Sequence, residues 1–407
     1  MSTQADTLCL FEDEHCALFK PLTLTRPLDD LRLGILTLRE KWNLDLRPDR
    51  FRRITSPSLR KLFPDDGQFG KEVLWINSRL LPNRSLLESI RSLEEGHYLA
   101  AGPDVVAART TAAMSQQWEK TGIDTDSLKR VGTVDPSNLL DTLWSLLAKN
   151  EEEIRHDIER WSGSYQVLDT RKFDGVHQTG DHPVCIQEGV EIEPGVVFVT
   201  IEGPIWIGEG ASIEANSVIR GTAAIGDNSI VRPGSLICPG TTIGPVCKVA
   251  GEIHNSIFHS FSNKAHEGFT GDSIFGQWVN LGAGTTTSNL KNNYQSVTVV
   301  DYHTRRPVNT NLRFLGTVMG DHSRTAIGTR LNTGTIVGVS SNLFTPGFPE
   351  KLVPSFRWVG KGVDTVYKLE KALETMKVVM DRRNKELTED YKELMQTLFD
   401  QETADSL

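Results

Sequence analysis

The chain lacks most of what usually advertises a nucleotide-binding, metal-binding or secreted protein. Its five cysteines (Cys9, Cys16, Cys185, Cys238 and Cys247) are odd in number and show no CxxC spacing. They fit reduced thiols in a cytoplasm better than a disulfide framework or a cysteine zinc site. No Walker loop or GxGxxG is present, and no glycine precedes Gly34. No apolar run is long enough to span a bilayer. The N-terminal "MSTQADTLCLFEDEH" has no basic region followed by an apolar one, so no secretory signal is expected. Positive charge is in short supply: 44 Lys and Arg stand against 53 Asp and Glu, for a net charge of −9. That argues against a nucleic-acid partner, while leaving room for a local basic pocket for phosphate. A cytoplasmic protein without a membrane partner is expected, and 407 residues predict two or three domains.

What is present is a repeat. Ile207, Ile213, Ile219, Ile225, Val231, Ile237, Ile243 and Val249 recur every six residues, with small, polar and turn-forming residues between them. A helix needs a period near 3.6 and a hairpin strand a period of 2, so neither explains the spacing. A short strand and a turn, repeated with one aliphatic side chain inward each time, is the pattern of a parallel β-helix. Three such strands close one triangular coil of eighteen residues, and the core runs on from coil to coil. Val184, Val190 and Val196 extend the array upstream; Phe275, Leu281 and Thr287, then Ile327, Thr333 and Val339, extend it downstream. The register breaks between Val249 and Phe275 and again over 292–321, where loops leaving the coil are expected.

Three domains follow: an α/β domain over 1–170, the β-helix over 171–345 and a helical extension over 346–407. In the first, "DTLCLFE" and "EVLWINSRLLPN" read as strands. Leu31, Ile35, Leu38 and Trp42 have helical spacing, and "NLLDTLWSLLAKNEEEIRHDIERW" reads as a long amphipathic helix. In the last, an apolar stripe from Val366 to Leu398 predicts a helix that covers the β-helix or contacts another subunit.

The stretch "HEGFTGDSIFGQWVNLGAGTTTSN" carries the chemistry. Together with an α/β domain ahead of a β-helix, it resembles the bifunctional bacterial enzymes that make UDP-N-acetylglucosamine. The resemblance is strong at motif level across Arg232 to Lys291, in a divergent branch of that family. It implies a left-handed coil, a homotrimer with shared active sites, acetyl transfer from acetyl-CoA to glucosamine-1-phosphate, and nucleotidyl transfer from UTP with Mg²⁺. dTTP and another amino sugar remain open. The resemblance places the catalytic base at His266, and imidazole titrates where an amine must be deprotonated. Glu267 and Asp272 are candidates to orient it. The resemblance further assigns Arg232 to the sugar phosphate and Asn280 and Asn289 to the sugar and acetyl pocket, with Lys264 or Lys291 replacing a family lysine that here is His254. Gly282, Ala283 and Gly284 are candidates for coenzyme A or oxyanion contacts, beside a packing role in tight coil corners. Phe269 and Leu290 stand where the family has tyrosines, which leaves the acceptor open.

The family's glycine-rich nucleotide loop is missing. Lys20, Thr25, Arg26 and Arg32 in "KPLTLTRPLDDLR", with Asn77 and Arg79 after a strand, are the candidates to bind triphosphate instead. The competing functions are a nucleotidyltransferase with the β-helix as scaffold, and a carbonic anhydrase on His254 and His259, whose nearest earlier histidine is His182, several coils away. A non-enzymatic scaffold is disfavoured by Arg232, His266 and Asn280 together.

Overall fold

The structure is a computed structural model that describes residues 5–404. The first four residues of the stretch read for a signal, and the last three of the tail, lie outside the described residues. The chain divides into two compact units. The first comprises the chain up to Phe19, Arg26–Leu31 and Leu36–Leu143; the second comprises Lys20–Thr25, Arg32–Ile35 and Trp144–Leu407. In this division the α/β unit runs to Leu143, and two short N-terminal segments belong to the second unit.

The first unit is built on six strands: β1 (Thr7–Phe11), β2 (Arg50–Ile54), β3 (Glu72–Asn77), β4 (His97–Ala101), β5 (Asp104–Thr111) and β6 (Lys129–Thr133), in the order β2-β1-β3-β5-β4-β6. Strands β2, β1 and β3 run parallel, and β5 is antiparallel to both neighbours. Leu8 and Leu10 join Trp42, Leu74 and Ile76 on one face; Cys9 and Phe11 join Val73, Trp75 and Trp118 on the other. Covered on both faces, β1 is apolar from Leu8 to Phe11 instead of alternating.

The helical spacing from Leu31 to Trp42 is only half realised. Helix α1 spans Leu38–Leu46, started by a capping box between Thr37 and Glu40. Ahead of it, Arg32–Leu33 and Leu36–Thr37 form a small two-stranded turn around Gly34, at φ 72°. A side chain at Gly34 would lie 2.7 Å from the Glu153 carbonyl oxygen, so close packing as well as conformation demands glycine there.

In the second unit the eight-position ladder is fully inward, from Ile207 to Val249, each 0% exposed. Ile207 pairs with Ile225 and Ile225 with Ile243, eighteen residues per coil. A second column four residues on (Ala211, Ser217, Ala223, Ser229, Ser235, Thr241, Cys247) is equally buried, which explains the small residues there. The first register break is not a projecting loop. Ile243 pairs with Phe258 and Val249 with Lys264, so the coil shortens to fifteen residues. The second break is a true excursion, an antiparallel hairpin of Thr298–Val300 and Pro307–Asn309. Beyond it the inner column is Met319, Thr325, Leu331, Val337 and Leu343. Ile327, expected inside, is 81% exposed. It occupies a turn ahead of Gly328, at φ 68°. Thr333 and Val339 are buried, but beside the ladder and not in it.

Helix α2 (Ser145–Arg160) lies along the β-helix. Its Asn150 side chain donates to the Gly240 carbonyl at 2.8 Å and accepts from the Gly34 amide at 2.8 Å. The C-terminal stripe folds as two helices, α3 (Leu369–Asp381) and α4 (Glu389–Thr403), with Asn384 left-handed in the link. Phe399 packs edge-on against Phe356, and Tyr391 against His322, so the pair covers a face of the β-helix.

Candidate active site

His266 sits on a coil corner between the strands Asn263–Lys264 and Phe269–Gly271. It is exposed, and among the described residues its ring makes no hydrogen bond. The corner beneath it is rigidly defined. Gly268 has φ 124°, and a side chain there would meet the Thr285 carbonyl at 2.2 Å. The Gly284 amide donates to the Glu267 carbonyl at 3.2 Å.

Lys264 holds this corner from inside. It follows Val249 in an inner column, is 1% exposed, and sends its ammonium to the carbonyls of Ala250 (3.1 Å) and His266 (2.8 Å). Burial pushes its pKa down to about 8, partly offset by Glu267. Lys264 therefore touches the His266 backbone, not open solvent.

The other motif residues fall on two faces flanking the corner. On one, the Asn289 amide donates to Asp272 at 2.6 Å, and Asn255 donates to the other oxygen of that carboxylate at 2.7 Å. Asp272 is thus occupied by two amides, and Glu267, next to His266 in sequence, is the other candidate carboxylate. Phe269 lies in the strand between these corners, its amide bonded to the Thr286 hydroxyl. On the other face, Asn280 bridges Asn263 and Arg324. Gly282 donates to the Thr325 hydroxyl at 3.0 Å, and a side chain there would strike Ala326 at 2.5 Å. Of the three "GAG" amides, that of Ala283 has no partner among the described residues. Arg232 lies one residue past Val231, in the column that runs on to Val249 and Lys264. That places it two coils, roughly 10 Å, from the His266 corner. It pairs with Glu214 at 2.7 Å. Lys291 is spent on the Ser296 carbonyl at 2.7 Å, at the root of the hairpin.

The six nucleotide candidates do not assemble into one site. Lys20, Thr25 and Arg32 belong to the second unit, where Thr25 donates to Asp321 at 2.8 Å and Arg32 to the His259 carbonyl at 3.1 Å. Arg26, in the first unit, is 2% exposed and pairs with Asp30 at 3.1 Å. Asn77 and Arg79 do converge, at the carboxyl ends of the parallel strands β1 and β3, where open α/β sheets bind ligands. Arg79 bonds Asp13 at 2.6 Å and Asp104 at 2.7 Å, and Asn77 donates to Asp13 at 2.7 Å. Burial alone would raise the Asp13 carboxyl, but the Arg79 and Asn77 hydrogen bonds hold it below the usual range. Asp13 and Asp104 were not legible as a pair, because 91 residues separate them and neither lies in a motif. Their arrangement does not fit a resident Mg²⁺, because both carboxylates are already paired with the Arg79 guanidinium. His259 is buried with its Nδ1 near the Ser260 hydroxyl, whereas His254 is exposed. Among the described residues no cluster of three metal-ligating side chains occurs, and no helix is long and apolar enough to cross a membrane.

The chain thus joins an α/β unit to a hexapeptide β-helix that carries an exposed corner histidine. Residues 8–164 match the family model for sugar nucleotidyl transferases, and residues 204–239 match the six-repeat model of bacterial hexapeptide transferases. The chain is a divergent relative of the bifunctional GlmU proteins. It is 29% identical over 192 residues to the bifunctional protein GlmU of Azoarcus sp. (strain BH72), across 42% of this chain and 38% of that protein. It is 31% identical over 155 residues to a bifunctional sugar-1-phosphate nucleotidylyltransferase/acetyltransferase of Sulfurisphaera tokodaii, across 37% of each. The chain thus spans well under half the length of these curated relatives. A solved hexapeptide transferase family protein from Anaplasma phagocytophilum aligns over 56% of this chain and 98% of its own, at 16% identity and a TM-score of 0.25.

Proposed function

We propose that the protein is a bifunctional enzyme of nucleotide-sugar synthesis. The β-helix transfers acetyl from acetyl-CoA to the amine of glucosamine-1-phosphate or a related amino-sugar phosphate. The α/β unit transfers a nucleotidyl group from UTP or dTTP to the sugar-1-phosphate. The observation that carries the first half is His266, exposed on a corner fixed by Gly268 and Lys264, beside "NLGAGT". Neutral imidazole takes the proton of the amine as it attacks the thioester carbonyl; the tetrahedral intermediate then collapses with cleavage of the C–S bond, and the imidazolium returns the proton to the departing coenzyme A thiolate. The unpartnered Ala283 amide is the backbone donor available to the resulting oxyanion. Phe269, apolar in place of a hydroxyl donor, favours an acceptor other than the family's own. The chemistry fits a homotrimer in the cytoplasm, with Arg232 and Asn289 on the acceptor.

For the nucleotidyl half, the support is the family match over 8–164 and the polar cluster at the ends of β1 and β3. Arg79 between Asp13 and Asp104 favours a second reading, acetyl transfer alone, with the α/β unit silent. One experiment separates them: the purified protein is given UTP or dTTP, a panel of sugar-1-phosphates and acetyl-CoA, and products are read by mass. In the same assay, His266→Ala should lower acetylation by about 10²–10⁴-fold and leave pyrophosphate release unchanged. Acetylation at the normal rate would remove His266 as the base.

A further inference from the structure

A cleft of about 200 Å³ opens in the second unit between the face carrying Asn280 and the C-terminal end of α3. Three guanidiniums enter it: Arg324 from the β-helix, and Arg382 and Arg383 from just past the helix. Asn263 and Asn280 form the floor, and Phe261 stacked on Trp278 at 4.4 Å forms a wall. A fourth cation, Lys385, lies 5.8 Å over the Phe261 ring. No lining residue of the cleft is acidic. Arg383 donates to the Asn263 side chain at 3.2 Å. Among the described residues, Arg324 and Arg382 make no side-chain hydrogen bond or ion pair, although Arg324 is only partly exposed.

Cations at a helix C-terminus have an ordinary role in opposing the helix dipole. That role accounts for Arg382 and Arg383, but not for Arg324, which comes from a strand and turns its charge toward the other two. Like charges gathered against an aromatic wall repel, and the cluster is stabilised by an anion between them. Guanidinium forks suit phosphate oxygens, and the amides of Asn263 and Asn280 add donors of the same kind. The volume decides how much of a ligand enters. Pockets for whole small molecules run from about 300 Å³ upward, so this one takes a phosphate or diphosphate group and leaves the remainder outside.

We propose that this cleft is an anion site that holds the phosphate or diphosphate end of a small molecule through Arg324, Arg382 and Arg383. All of its lining residues belong to the second unit; Asn280 is shared with the acceptor pocket that the resemblance implies, but the three guanidiniums are not, so anion binding here is tested independently of acetyl transfer. Calorimetric titration of the full chain with pyrophosphate, at constant ionic strength, tests it. Saturable binding is expected, with a component weakened at least tenfold by Arg382→Gln and by Arg324→Gln and unchanged by His266→Ala. Arg382 is exposed at a helix end, so its loss leaves the fold intact, which the unfolding temperature checks. No saturable binding to the unaltered protein, or binding of undiminished affinity and stoichiometry in the Arg324→Gln/Arg382→Gln double variant, overturns the proposal. Loss in Arg79→Gln alone would place the anion in the α/β unit and overturn it equally.

Discussion

At the scale of single residues, Lys264 is where stability and chemistry meet. An inner position of a β-helix normally takes an aliphatic side chain; here the stem fills the column and the ammonium is tied to two carbonyls, one of them that of His266. Its pKa, lowered by burial from 10.5 to about 8, has a direct consequence. Between those two values the unfolded chain holds a proton that the folded chain has released. Stability therefore rises as pH climbs from about 8 to about 10.5, by up to roughly 3 kcal/mol. Lys264→Met should abolish that rise in urea unfolding measured at pH 7.5 and pH 10, and should loosen the His266 corner. An unchanged pH profile would show that the ammonium is better solvated than its burial implies. The sequence marks Lys264 as a spare charge near the base. It does not reveal the inward side chain, because the shortened coil shifts the register just before it.

At the scale of elements, the ladder is self-evident where every coil has eighteen residues, and obscure where the count changes. Ile237 and Ile327 look alike in sequence, each an isoleucine set among turn formers. Ile237→Ala should cost about 2–5 kcal/mol, as a buried isoleucine in a continuous column. Ile327→Ala, on an exposed turn, should fall within about 0.5 kcal/mol. Equal losses in thermal or urea unfolding would refute the register Met319–Thr325–Leu331. The sequence misleads here for a physical reason. Once the hairpin resets the count, a threonine takes the inner place at 325 and an Ile-Gly pair takes the turn. Apolarity and inward direction then part company. The half-formed helix before Trp42 has the same origin: Gly34 and its close approach to α2 override a helical spacing that is otherwise well marked.

At the scale of the molecule, the two-part plan is legible from the repeat and from the strand–helix alternation that precedes it. The polar cluster of the first unit is not, since only folding brings Asp13, Arg79 and Asp104 to one edge of the sheet. Each unit has its own apolar core, one around the α/β sheet and one along the β-helix. Substitutions at Asp104 and at His266 therefore share no packing partner, and their effects should combine independently. Asp104→Asn keeps the shape of the side chain but removes the charge that faces Arg79. If the first unit transfers nucleotidyl groups, this variant should lose at least tenfold in pyrophosphate release from UTP or dTTP while acetylation from acetyl-CoA is unchanged. His266→Ala should show the converse, and the double variant should show both losses at the size seen singly. If the unaltered protein acetylates but releases no pyrophosphate with any sugar-1-phosphate, Arg79 has closed the site. The chain then carries one activity on a fold laid out for two.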